Sequence, residues 1–78
     1  MEKDKLSYAV EQRLRFIDFL IAQYGHINRS AVADYYGVSV QQASHDLTQY
    51  QELAPKNIAY DLKKKTYVRT DSFERLWK

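Results

Sequence analysis

Three residues, Gly37-Val38-Ser39, separate two helix-patterned segments and constrain the fold more than any other feature of the chain. Upstream, "RSAVADYY" at 29–36 sets Val32, Ala33 and Tyr36 on one face of a two-turn helix that Asn28 can cap. Downstream, "VQQASHDLTQYQEL" at 40–53 repeats Val40, Ala43, Leu47 and Tyr50 at helical spacing. Gly37 can end the first helix in the left-handed conformation that a side chain would disfavour. Ser39 can accept from the free amides of the second. Val38 is left to fill the corner, and Ala33 is small enough for close approach of the two helices. The result is a tight helix–turn–helix, with Pro55 preventing continuation of its second member.

The flanking segments complete the pattern. In "YAVEQRLRFIDFLIAQY" at 8–24, Val10, Leu14, Ile17, Ile21 and Tyr24 form one stripe, widened by Leu20. Ser7 and Gly25 bound this helix. After Pro55 the period drops to two: Ile58, Tyr60 and Leu62 alternate, then "KTYVRT" follows a "KKK" corner. A β-hairpin over about 57–69 is predicted. Phe73, Leu76 and Trp77 at i, i+3 and i+4 are compatible with a final helical turn over 72–77. Helices at about 8–24, 29–36 and 40–53 followed by a basic-tipped hairpin make an α+β winged helix–turn–helix. The 78 residues suffice for one domain, 1–78, and not two.

Composition narrows the function classes. No cysteine is present, which removes thiolate catalysis, disulfides and Cys-based zinc sites. No charged-then-apolar leader opens the chain, and the longest apolar run is "FLIA", so a soluble cytoplasmic protein that does not enter membranes is expected. "SHD" at 44–46 is no catalytic triad, because consecutive helical residues point about 100° apart. His26 and His45 lack metal-ligand spacing. No cofactor, metal or enzymatic activity is therefore expected. The tyrosines 24, 35, 36, 50 and 60 read as core and core margin. "NRS" at 28–30 reads as a cap.

The outward face of 40–53 carries the functional signal. Gln41, Gln42, His45 and Gln49 fall within roughly 100–200° when Val40 is set at zero. This ridge hydrogen-bonds yet holds no Lys or Arg. A B-DNA major groove admits a helix, and glutamine can pair bidentately with adenine there. Affinity must then come from phosphate contacts at the flanks. Lys63, Lys64 and Lys65 in the wing, Lys56 past the third helix and Arg29 at the start of the second are the candidates.

"VSVQQASHDLTQY" at 38–50 resembles the DeoR-type winged-helix pattern, with Asp46-Leu47 as its closing pair. The longer stretch from Ile27 to Val68, with "ELAP" at 52–55, Asn57, Tyr60, Asp61 and Tyr67, is similar to the N-terminal domain of WYL-domain transcriptional regulators of the phage-defence-associated branch. The resemblance implies a homodimer that binds operator double-stranded DNA, usually as a repressor. It implies DNA contacts at Ser39, Gln41, Gln42, Ser44, His45 and the wing lysines. Ligand sensing by a WYL domain is not expected of these residues, since none follows. A protein-interaction module and a non-specific nucleic-acid binder are the alternatives, the former favoured by a net charge of only +2.

Overall fold

The computed structural model describes residues 6–77, so residues 1–5 and 78 of the expected domain lie outside the description. Helix α1 (Tyr8–Tyr24) begins where the Ser7 hydroxyl accepts from the Val10 amide, and ends at Gly25 with φ of 79°. A two-residue strand β1 (His26–Ile27) follows, then α2 (Arg29–Tyr36), which the Asn28 side chain caps by accepting from the Ala31 amide at 3.0 Å. Gly37, at φ 67°, turns the chain into α3 (Val40–Leu53). Strands β2 (Ile58–Asp61) and β3 (Thr66–Arg69) close the fold as an antiparallel hairpin. Three helices with such a wing form a winged helix.

The sheet has the order β1-β3-β2, so the wing is built onto the body through its second strand. Strand β1 was not anticipated, since two residues show no period. Its place follows from the end of α1. The Arg69 amide donates to the Gly25 carbonyl at 2.8 Å, and the Arg69 guanidinium donates to the Ala22 carbonyl at 2.9 Å. A cation thus sits on the carbonyl end of α1, where the helix dipole favours it.

The core gathers Leu14, Ile17 and Ile21 from α1, Ile27, Val32 and Ala33, then Ala43, Leu47 and Tyr50 from α3, with Ala54 and Ile58. Each large aliphatic side chain buried this way contributes about 1.5–3 kcal/mol. Val38 packs against this core from the corner of the helix–turn–helix.

Residues 73–77 run without regular structure, and the helical turn expected over 72–77 is absent. Their amides are engaged elsewhere. Leu76 and Trp77 donate backbone N–H groups to the Asp18 carboxylate at 3.1 and 3.2 Å. The Glu74 amide donates to Asn57 Oδ1 at 3.0 Å. Phe73, Leu76 and Trp77 nevertheless cover the core, and Arg15 lies 5.5 Å from the Trp77 ring centre. We call this segment the strap. Asp18 is fully buried beneath it, also accepting from the Tyr50 hydroxyl at 2.6 Å and from Arg75 Nε at 2.7 Å. Burial and the bond to Asp18 together raise the pKa of the Tyr50 hydroxyl well above its ordinary value.

Candidate nucleic-acid interface

Helix α3 is held rigidly from inside. Its buried Asp46 accepts from Arg13 Nε of α1 at 2.5 Å, and Tyr50 sits fully in the core. At its start the Ser39 hydroxyl accepts from the Gln42 amide at 3.0 Å. The Val38 amide donates to the Ala33 carbonyl at 3.1 Å, locking the approach of α2. Beside this joint, the Tyr36 hydroxyl donates to the Gln12 carbonyl at 3.0 Å. Burial raises the pKa of that hydroxyl, with Tyr35 adding to the shift and Arg13 opposing it.

The solvent face of α3 differs from the expected ridge. Gln41 and His45 are exposed, but Gln42 and Gln49 are half-buried. The Gln42 side-chain amide donates to Asp46 Oδ1 at 3.0 Å, so this residue partly serves the interior. Thr48 is exposed, and Val40, read from its spacing as a core residue, is 43% exposed. The open face therefore spans roughly 0–140° from Val40 and carries the exposed Val40, Gln41, His45, Thr48 and Glu52, with the half-buried Ser44 at its edge. It is rotated toward α2 and the wing relative to the sequence reading. Thr48 could have been found, since it lies four residues after Ser44 and three after His45.

Ser44 sits at the edge of a cleft of about 220 Å³, lined also by Asn28, Arg29, Tyr60, Lys65 and Tyr67. The Arg29 guanidinium donates to the Ser44 hydroxyl at 3.5 Å. Start of α2, flank of α3 and wing thus converge on one polar hollow holding two cations. The wing positions its share through Asp61. Its carboxylate accepts from the Lys63 and Lys64 amides at 3.0 and 3.1 Å, and Lys65 closes the turn at φ 54°. Leu62, expected to alternate with Tyr60 on the strand, lies beyond its end and is 80% exposed. Lys56 is not part of this cluster. It stands at the base of the hairpin, 2.7 Å from Glu74.

The aromatic residues divide. Tyr50 is core, but Tyr24, Tyr35 and Tyr60 are exposed rather than marginal. Tyr60 packs edge-on against Tyr67 at 4.9 Å, and Tyr35 stacks on Phe16 at 4.4 Å. Among the described residues, no three His, Asp or Glu side chains converge as a metal site, and no helix is long and apolar enough to cross a membrane.

Residues 9–77 match the family described as the BrxR transcriptional regulator winged helix–turn–helix domain. The chain belongs to that family. Among curated proteins, it is 45% identical over 67 residues to the DNA-binding transcriptional repressor CapW of Pseudomonas aeruginosa, covering 86% of this chain and 22% of the relative. The CapW repressor of Escherichia coli gives the same identity and coverage. That of Stenotrophomonas maltophilia is 38% identical over 74 residues, 95% of this chain and 25% of the relative. This BrxR-type winged helix thus spans about a quarter of the length of the curated relatives it matches.

Proposed function

We propose that this winged helix binds double-stranded DNA with sequence preference, as the DNA-reading part of a transcriptional repressor acting in the cytoplasm. The observation that carries the reading is the convergence of Arg29, Ser44 and Lys65 on one cleft beside the open face of α3, which holds no Lys or Arg. Phosphates of one strand meet the cations, while the helix face between them enters the major groove. Gln41 and His45 offer hydrogen bonds to base edges. Gln42 contributes from the rim. Lys63, Lys64 and the Ser39 region add backbone contacts. The CapW relatives are named DNA-binding transcriptional repressors, which supports a DNA-binding role for this domain. A homodimer, which the sequence resemblance implies, sets two half-sites about 10 bp or a multiple apart.

The test is a duplex titration against salt, using a sequence enriched from a random pool and a scrambled control. Preference of roughly 10³-fold or more is expected. His45→Ala should cost about 1–3 kcal/mol on the enriched duplex and little on the control. Equal affinity for both duplexes would assign non-specific binding, and no binding at moderate salt would assign a protein-interaction module.

A further inference from the structure

Val40 is the first residue of α3, and neither core packing nor local preference explains it. It is 43% exposed and is not among the side chains packed against the core. A β-branched residue gains nothing at a helix start, where proline or an acidic residue suits the backbone better. Among the described residues it is the one exposed large apolar side chain on α3. It stands immediately before the exposed Gln41 and on the same open face as Ser44, which faces the Arg29–Lys65 cleft.

We propose that Val40 is a specificity-determining residue that packs against the C5-methyl group of a thymine in the major groove. The inference rests on the reading that α3 enters that groove. The thymine methyl is the one apolar group that a base pair presents there, and it lies beside the hydrogen-bonding edge of the same pair. The first turn of a recognition helix approaches base edges most closely. A short branched side chain reaches the methyl without displacing its longer neighbour. Gln41, one residue on, then has its amide available for an adenine at the same or the adjacent pair, so that the two residues together select A·T-containing steps.

The enriched duplex of the preceding section supplies the experiment. Each thymine is replaced singly by deoxyuridine, which removes the methyl and leaves every hydrogen-bonding group in place. Affinities are measured for the 78-residue chain and for Val40→Ala. One thymine position is expected at which deoxyuridine weakens the unsubstituted chain about fourfold, the effect of losing one methyl-sized contact, and leaves Val40→Ala unchanged. Equal deoxyuridine effects on both proteins at every position, or no sensitive thymine at all, overturn the proposal. In that case loss of preference in His45→Ala still supports groove entry by α3. Failure of the pool to enrich any sequence instead removes the groove reading, and the role of Val40 falls with it.

Discussion

Asp18 and Asp46 are both fully buried and both bonded to an arginine, yet different kinds of donor satisfy them. Asp18 takes two backbone amides from the strap, the Tyr50 hydroxyl and Arg75. Asp46 is bonded to the side chains of Arg13 and Gln42. The first carboxylate therefore fixes a main-chain path that has no regular structure of its own. The second fixes side-chain rotamers between α1 and α3. A buried charge is a weak source of net stability, but one left without partners is costly. The two sites use that asymmetry for different ends: one fastens the strap over the core, the other holds α3 against α1.

The contrast can be broken most directly at Asp18. Asp18→Asn is expected to lose about 3–5 kcal/mol in urea denaturation. That is a large part of the roughly 4–12 kcal/mol available to a domain of this size. Amide protection at Leu76 and Trp77 in hydrogen exchange should vanish with it. A loss below about 1 kcal/mol would mean that the strap does not depend on the carboxylate. Asp46→Asn should cost less, about 1.5–3 kcal/mol for its charge-assisted bonds. It should leave the Leu76 and Trp77 amides protected. If those amides open as well, the two carboxylates are one network and the comparison fails.

The smallest effect concerns Tyr50, through which α3 reaches Asp18. Its folded-state pKa lies above the ordinary 10.0, so above that pH the unfolded chain releases a proton that the folded chain retains. Stability contributed by the neutral hydroxyl is thus present below pH 10 and declines as pH rises beyond it, by about 1 kcal/mol per pH unit. Denaturation midpoints measured from pH 9 to about 11 should fall in the parent and fall less steeply in Tyr50→Phe. The remaining slope reports Tyr36, whose pKa is also raised. Identical slopes in the two proteins would detach Tyr50 from the Asp18 site.

The helices were legible because their apolar residues keep one period while Ser7, Gly25, Asn28, Gly37 and Ser39 mark the ends. Those are local signals, and local structure obeys them. Strand β1 was not legible, because Ile27 becomes a strand residue only when Tyr67 pairs with it from 40 positions away. The strap escaped for a similar reason. Its i, i+3, i+4 spacing fits a helix, but distant acceptors in Asp18 and Asn57 engage the amides and side chains that a helix would have organised differently. Less of the candidate site was legible. The absence of Lys and Arg from α3 could be read from residue types, but the direction of its open face depends on what covers each flank. Asp46 draws Gln42 toward the rim, and Val40 at the first turn is left 43% exposed. A helical wheel knows neither.

The clasp over Asp18 also carries a consequence for biosynthesis. Its amide donors lie 58 and 59 residues downstream of the carboxylate they satisfy. A nascent polypeptide on the ribosome can finish all three helices and leave the Asp18 carboxylate with the Tyr50 hydroxyl alone until Arg75 and the strap amides emerge. Completion of the core therefore waits on the strap, and a chain stopped before Arg75 is expected to stay a substrate for proteases and chaperones.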